Sequence, residues 1–509
     1  MSAANSVSPT RAPGAGVKRA SVRLVPQIAL VGVPLLVAAL AAVYMPNIAL
    51  LTPDSPGYMY FGEDRPAGYP LFLQAVEMLF GSFRAVPLAQ LVLLFSSIGV
   101  LAVVAYHLSG SVLLSLAFEL IIIANPGLIL LSGQIMSESI SATCIGLFIA
   151  VLLSMVRSAS SSKCIALSAV SAVAITIRPV NIALVPAAFL AILVLYEGRR
   201  WAQVFLLVIL AYGVTHFTPA VHAIRHDASR VADPLARGLF QKTLFRQWPE
   251  TIESKKCDSG IVARDTKAPD EYIAHAPEDL QEFLKYYYSS YLRFAVIIPE
   301  LVDLHKANSF TEVDPILMCL ARIHEKTDPT YFLQDATRQL WALLTYSTYV
   351  SPARHDRIVD YLAKFPPPKP PPVARHDVDF QLSERAMGEL GIDHSTFHTT
   401  DTDSLPKARS RILTFGLCAI QLSAAVVMLW GMIRLLTAMF SSKAKRKHAG
   451  RIWCVIGICG VAFFGETVIT SFIEIAQPRY IYPLWSITCA ALFLCFMLGM
   501  ERLPTAKAQ

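Results

Sequence analysis

Charged residues are scarce in this 509-residue chain: Asp, Glu, Lys and Arg make up 16% of it, whereas soluble globular domains carry about 25%. Apolar residues make up 54%, and the mean hydropathy is +0.49. Charge is missing where apolar residues run together for about twenty positions, the length that an α-helix needs to cross a bilayer. This pattern excludes a water-soluble enzyme and predicts a mainly α-helical, polytopic membrane protein.

Several motifs of soluble proteins are also absent. The nine cysteines form no CxxC pair and no Cys/His spacing typical of zinc sites. No glycine-rich phosphate loop joins a strand to a helix, which argues against nucleotide-sugar chemistry in a soluble fold. The net charge of +7 is spread over short segments between apolar runs. It therefore indicates membrane orientation and predicts no binding to nucleic acid.

Ten membrane spans fit the hydropathy pattern. Residues 1–25 contain basic residues but no acid, so we interpret them as a cytosolic segment before a signal-anchor helix. The turns that contain Arg157 and Arg199, and the basic cluster at 443–451, then all lie in the cytosol, as the positive-inside rule requires. The even number of spans returns the C-terminus to the cytosol. The predicted spans are 26–50, 86–107, 111–131, 138–156, 164–177, 180–196, 201–220, 412–440, 452–471 and 481–500.

The stretch between the seventh and eighth spans is too long and too polar for a loop, so we expect an extracytoplasmic inserted domain. Its segment 366–372, six prolines and one lysine, predicts a polyproline II linker. Its two cysteines, Cys257 and Cys319, either pair in an oxidising compartment or stay free. The predicted parts are the N-terminus 1–25, a seven-helix transmembrane module 26–221 with outer loops 51–85 and 125–137, the insert 222–406, three C-terminal helices 407–500 and the tail 501–509.

Charged residues also collect at the predicted outer ends of the spans, where each is costly without a partner or water. Asp54 follows the first span within a Pro- and Gly-rich stretch, for which we predict a rigid loop. The local sequence of Asp54 also suits an Asx turn or a helix cap. Glu138 opens the fourth span, where it also complements the helix dipole.

Two arginines lie on the same predicted outer side, where the topology disfavours positive charge. Arg178 stands between the fifth and sixth spans, and Arg479 precedes the last span. An ion pair between Arg479 and Glu474 is the purely structural interpretation of the second. Carboxylates and arginines around one outward cavity indicate a site for an anionic head group, because the guanidinium fork fits phosphate oxygens.

The same segments resemble a known superfamily. Asp54-Ser55 with Tyr58, followed by RPAGYPLFL at 65–73, resembles the first outer loop of the GT-C glycosyltransferases. The branch that it resembles contains the protein O-mannosyltransferases and the lipid A aminoarabinose transferases. That loop often carries two adjacent acids, whereas Ser55 follows Asp54 here. Three later segments also resemble that superfamily, and the insert does not: NP at 125–126 leading to SE at 137–138, TIRP at 176–179 and PRYIYP at 478–483.

The resemblance implies transfer of a sugar from a polyprenyl-phosphate carrier to an extracytoplasmic acceptor, with inversion at the anomeric carbon. It implies that Asp54 is the general base and that Glu138 positions acceptor or sugar. Arg178 and Arg479 are the candidates for the carrier phosphate, and Tyr480 for a hydrogen bond or packing against the lipid. The other candidates for substrate binding are Tyr58, Glu63, Asp64 and Arg65, of which the last three either shape the sugar pocket or pair with one another.

Partners and alternatives follow from the same residues. We expect a polyprenyl-phosphate-linked sugar, an acceptor among cell-envelope glycolipids, polysaccharides or proteins, and the lipids of a bacterial inner membrane, with the site on the periplasmic side. The carboxylates permit Mg²⁺ or Mn²⁺, but no spacing demands a metal, and we expect none to be required. The alternatives are a transporter or flippase of a lipid-linked sugar, although no repeated halves are visible, and an assembly or sensor protein whose insert binds a partner.

Overall fold

The computed structural model describes residues 15–44, 54–62, 65–226, 310–327, 329–345, 407–440, 448–473 and 478–502, with short pieces between 236 and 306. Within these residues the regular elements are helices and no strand occurs. The mainly α-helical prediction is therefore confirmed. Several predicted features lie outside the described residues: Glu63, Asp64, Glu474, the side chain of Arg479, the linker 366–372 and both termini.

The helices are numbered in chain order. They are α1 Ala15–Tyr44, α2 Ser55–Met59, α3 Gly68–Phe80, α4 Val86–Ser109, α5 Val112–Ile123, α6 Pro126–Ser132, α7 Glu138–Arg157, α8 Ser161–Ile177, α9 Leu184–Leu195, α10 Arg200–His226, α11 Asp314–Thr327, α12 Pro329–Leu344, α13 Lys407–Phe440, α14 His448–Ile473, α15 Pro478–Ile481 and α16 Trp485–Arg502. Short 3₁₀ turns occupy Phe83–Ala85, Pro179–Ala183, Phe310–Val313 and Tyr482–Leu484.

Seven of the described helices are long and apolar enough to cross a membrane, namely α1, α4, α7, α10, α13, α14 and α16. The bent pair α5 and α6 passes the same test when taken together, and two shorter apolar helices cover Ser161–Ile177 and Pro179–Leu195. The chain is therefore a polytopic, integral membrane protein. All ten predicted spans have a helical counterpart, and their exact number stays a prediction.

The third predicted span is not one straight helix. A break at Asn125 separates α5 from α6, whose axes differ by 58°. Pro126 takes the first position of α6, where its missing N–H is not needed, and the Asn125 side-chain oxygen accepts a hydrogen bond from the Gly127 N–H at 3.0 Å. The bent pair passes as one span, so the predicted span over 111–131 stays a prediction, and the predicted outer turn 125–137 begins as a helix.

The first outer segment is also more helical than predicted. Pro56 and Pro70 lie in the first turns of α2 and α3, positions where a helix tolerates proline. Their presence therefore does not prevent short helices: the stretch 53–70, predicted as a rigid loop without a long helix, contains the five-residue α2 and the start of α3. Gly81, in the left-handed region at φ 73°, ends α3.

Helix α7 lies at the centre of the bundle. Most of its side chains are buried, and it packs against α4, α8 and α16. Helices α1 and α10 lie at the periphery and expose apolar side chains such as Leu36 and Trp201. Such exposure is what lipid-facing helices require, because the bilayer core is itself apolar.

The close crossing of α13 and α14 depends on two glycines. A Cβ atom on Gly457 would lie 2.5 Å from the carbonyl oxygen of Gly431, and a Cβ on Gly431 would lie 2.7 Å from the Gly457 nitrogen. Small residues allow helix backbones to approach in this way in membranes, where van der Waals packing drives helix association.

The Gly457→Ala variant is therefore expected to unfold at a lower temperature in detergent than the wild type. Overpacking of this kind costs about 1–3 kcal/mol. Gly213→Ala, on the lipid-facing helix α10, is the matched control because no atom lies within 4 Å of its added Cβ. Equal melting temperatures for the two variants would contradict this account of the crossing.

A disulfide cross-links the described part of the insert, and packing joins this part to the transmembrane bundle. Cys257 and Cys319 are disulfide-bonded, so the paired alternative is the one that the structure adopts. Helix α12 packs on α14, with Ala342 and Leu343 entering the main core. Gln421 of α13 donates a hydrogen bond from Nε2 to the Leu343 carbonyl at 2.9 Å. The end of α12 is thus joined to the transmembrane bundle.

Alkylation of denatured, unreduced protein should modify seven of the nine cysteines, because seven are free thiols and two form the disulfide. Prior reduction should raise the number to nine, as counted by intact-mass spectrometry. Nine modified cysteines without reduction would contradict the disulfide.

Candidate functional site

An ion pair joins Asp54 and Arg65 within the first outer segment. The Arg65 guanidinium donates from Nη2 to Asp54 Oδ1 at 2.8 Å, and both side chains are partly exposed. Asp54 takes the N-cap position of α2, yet its side chain makes no capping hydrogen bond. Gly57 provides the necessary space, since a Cβ there would lie 2.9 Å from Arg65 Nε. The carboxylate is therefore oriented by Arg65, and its side chain does not form the helix cap that was the structural alternative for this residue.

Tyr58 links the first outer segment to the second. Its hydroxyl lies 3.2 Å from Ser137 Oγ, its ring lies edge-on to that of Tyr69 at 5.0 Å, and the Arg65 guanidinium lies 4.9 Å from its ring centroid. Burial raises the pKa of the Tyr58 phenol, and the nearby charge of Arg65 opposes that shift. The phenol therefore stays neutral and donates or accepts hydrogen bonds without carrying charge.

Helix α10 holds the loop that carries Arg65. The ring of His222 donates from Nε2 to the Arg65 carbonyl at 2.9 Å and packs against Phe61. Phe61 adopts a φ of 56°, in the left-handed region that disfavours side chains. Contacts from α10 thus stabilise a strained turn next to the Asp54–Arg65 pair. Sequence reasoning missed His222, which it placed at the start of the insert.

The amide of Gln90 fixes the outer segments to the transmembrane bundle. Fully buried near the start of α4, it accepts a hydrogen bond from the Tyr69 hydroxyl at 3.0 Å and donates to the carbonyls of Ser132 and Gln134 at 3.0 and 2.7 Å. Sequence reasoning missed this residue as well. The available signal was an uncharged amide inside an apolar span, where buried polar groups need partners.

The turn after α8 presents Arg178 to the site. The Arg178 N–H donates to the Ala174 carbonyl at 2.9 Å, and the Arg178 carbonyl accepts from the Asn181 N–H at 3.0 Å. The Asn181 side chain in turn donates to the Ala174 carbonyl at 2.7 Å and to Ser141 Oγ of α7 at 3.0 Å. The backbone at Arg178 is therefore fixed between α8 and α7.

The Arg178 guanidinium lies 5.0 Å from the Tyr480 ring centroid, a cation–π contact between two segments about 300 residues apart in the chain. Its electrostatic neighbours include Tyr58 and two buried carboxylates, Glu138 and Glu466. Among the described residues, its buried Nη1 atom has no hydrogen-bond partner. A guanidinium with an unused donor is suited to an anionic ligand.

Glu466 is the acidic residue of this site that sequence reasoning missed. It lies in α14, 1% exposed, and neither of its carboxylate oxygens has a hydrogen-bond partner within the described part of the chain. Sequence reasoning concentrated on the ends of the spans, whereas Glu466 lies inside the predicted span 452–471. A lone acid in an apolar run was the signal, because such residues are expensive in membranes and are usually functional.

The structure thus brings together residues from five separated segments, and the roles assigned to them stay predictions. Arg479 lies in α15 beside Tyr480, and Glu63 and Asp64 fall outside the described residues. Within the described residues, no group of three or more His, Cys, Asp or Glu side chains could hold a metal ion. The assembled residues are Asp54, Tyr58, Arg65, Glu138, Arg178, Glu466 and Tyr480.

Comparisons of the chain with protein-family models, with curated proteins and with solved structures return no match. The fold and the site therefore define the protein as a polytopic, mainly α-helical membrane protein with a cluster of charged and aromatic residues at one end of its bundle.

Replacing Gln90 with Leu should lower the melting temperature more than replacing Tyr69 with Phe. The Gln90→Leu change leaves one hydroxyl and two carbonyls without their partner, at about 1–3 kcal/mol for each unsatisfied group. Gln27→Leu removes an exposed hydrogen bond to His107 and serves as the control. A melting temperature for Gln90→Leu equal to that of the control would contradict the bridging role of Gln90.

Proposed function

We propose that the chain is an integral membrane glycosyltransferase that moves a sugar from a polyprenyl-phosphate carrier to an extracytoplasmic acceptor. The observation that carries the proposal is the presence in one cluster of an oriented carboxylate, Asp54, and a guanidinium with an unused donor, Arg178. Asp54 and Arg178 are both electrostatic neighbours of Tyr58. A base for the attacking hydroxyl and a cation for the departing phosphate are the two groups that this reaction requires.

In the proposed step, the acceptor hydroxyl oxygen attacks the anomeric carbon while the bond from that carbon to the carrier phosphate breaks. The hydroxyl proton passes to the Asp54 carboxylate, and the electron pair of the broken bond leaves on the phosphate oxygen, beside Arg178. Attack opposite the leaving group inverts the anomeric carbon. Arg65 keeps Asp54 in position, and Glu138 positions the sugar or the acceptor.

The orientation of the site is supported by the other end of the bundle. There Arg157 donates to the Leu108 carbonyl at 3.2 Å, Lys163 donates to the Ser154 carbonyl at 2.7 Å, and Arg451 pairs with Glu197 at 3.5 Å. Basic residues at this end favour a cytosolic location for it. The cluster around Arg178 then faces the periplasm of a bacterial inner membrane.

The disulfide of the insert supports the same orientation. Disulfides persist in oxidising compartments, and the chain reaches Cys257 from the end of α10 that carries His222, beside the proposed site. The insert is therefore proposed to be extracytoplasmic, together with the acceptor. Its helix α12, packed on α14 and α15, lies where it can contact an acceptor bound at the cluster.

Transfer of label from polyprenyl-phosphate sugars, assayed in purified membranes with a small panel of donors, tests the proposal. The Asp54→Asn variant keeps the size of the side chain but loses the base, so transfer should fall by about 10²–10⁴-fold. Glu197→Gln, which makes the same chemical change at the opposite end of the bundle, should leave transfer unchanged.

Transfer that survives Asp54→Asn would leave the proposed class of enzyme standing and would indicate that the base is Glu138, Glu63 or Asp64. Movement of labelled lipid between leaflets, with no transfer from any donor of the panel, would contradict the proposal and indicate a transporter.

A further inference from the structure

Two buried side chains of the cluster, those of Glu466 and Arg178, have unused hydrogen-bonding capacity. Glu466 offers two carboxylate oxygens without a hydrogen bond among the described residues, and Arg178 offers the buried Nη1. Each is an electrostatic neighbour of the other. Within the described residues no hydrogen bond or ion pair joins them, so they do not satisfy one another directly.

The packing of α14 fixes Glu466 close to the Arg178 turn. Gly465, the preceding residue, lies against Ala183 of the Pro179–Ala183 turn, and a Cβ at Gly465 would lie 3.1 Å from the Ala183 Cβ. Helix α14 and the Pro179–Ala183 turn therefore cannot separate without losing this contact. Glu466 and Arg178 therefore belong to, or directly adjoin, two backbone segments that pack against each other.

The chemistry of the two groups defines what they can bind together. A carboxylate only accepts hydrogen bonds and a guanidinium only donates them. A ligand that satisfies both carries hydrogen-bond donors and an anionic acceptor within one small group. A glycosyl phosphate has this combination, with hydroxyls on the sugar and oxygens on the phosphate, whereas a bare polyprenyl phosphate offers only the second.

We propose that Glu466 accepts hydrogen bonds from sugar hydroxyls of the lipid-linked donor while Arg178 binds the phosphate. This inference rests on the proposed function and adds a residue that distinguishes glycosylated from bare carrier. A purely structural ion pair would instead place the carboxylate oxygens against the guanidinium N–H groups, as Asp54 and Arg65 do at 2.8 Å.

Binding of a short-chain polyprenyl phosphate, and of its glucosyl, mannosyl and arabinosyl phosphodiesters, to the purified full-length protein tests the assignment. The wild type should bind at least one glycosylated probe more tightly than the bare phosphate. Glu466→Gln should reduce that preference by about tenfold or more, the scale of lost hydrogen bonds to a charged group, and leave the affinity for the bare phosphate unchanged. Arg178→Gln should weaken the binding of every probe.

Two further variants separate binding from folding. Glu119→Gln changes another fully buried carboxylate that makes no hydrogen bond among the described residues and is not an electrostatic neighbour of Arg178, so the preference should survive. Glu466→Asp keeps the charge on a shorter side chain and should retain part of the preference, even if Glu466→Gln lowers the yield of folded protein.

The outcomes separate this inference from the proposed function. A preference that survives Glu466→Gln, or equal weakening of bare and glycosylated probes, would overturn the role of Glu466 and leave the enzyme class standing. A wild type that binds glycosylated probes no more tightly than the bare phosphate would also overturn it. A wild type that binds none of the probes would overturn both.

Discussion

Hydrocarbon offers no hydrogen bonds, so polar groups within this bundle have to be satisfied by the protein itself. Much of the structure follows from this constraint. Gln90 uses its amide to hold the outer segments, and Asn181 uses its own to join the Arg178 turn to α7. Because these links are buried and directional, the outer segments take one arrangement relative to the spans. This arrangement determines the positions of the charged residues of the candidate site.

The exceptions to that constraint are informative. Among the described residues, the Arg178 Nη1 atom and both oxygens of Glu466 are buried without a hydrogen-bond partner. An unpaired buried polar group costs about 1–3 kcal/mol. Several of them in one cluster therefore lower the stability of the fold. Binding of a ligand with complementary groups recovers that cost, which is why the cluster is interpreted as a binding site and not as structural packing.

The class of fold could be predicted from sequence because long apolar runs have few structural solutions. The short helices of the outer segments could not be predicted, because Pro56, Pro70 and Pro126 each stand in a first turn, where a helix tolerates proline. A pattern of Pro and Gly predicts a loop unless the first turn of each helix is already known.

Part of the candidate site could likewise be predicted from sequence, and part could not. Asp54, Arg178 and Tyr480 stand at the ends of spans, where a polar residue next to an apolar run is conspicuous, and the structure pairs Asp54 with Arg65 and Arg178 with Tyr480. Glu466 and Gln90 lie inside the spans, and their importance depends on which helix face is buried against which neighbour. Local sequence does not contain that information, because the contacts join residues of distant segments.

The central claim is that the cluster around Arg178 binds the phosphate of a lipid carrier at the outer end of the bundle. A cryo-electron microscopy structure of the full chain in a lipid nanodisc, with a non-hydrolysable glycosyl-phosphonate polyprenol, tests it most directly. The account predicts phosphonate density within hydrogen-bond distance of Arg178, with the lipid chain leaving between the spans. Phosphonate density at the opposite end, beside Arg157 or Arg451, would contradict it.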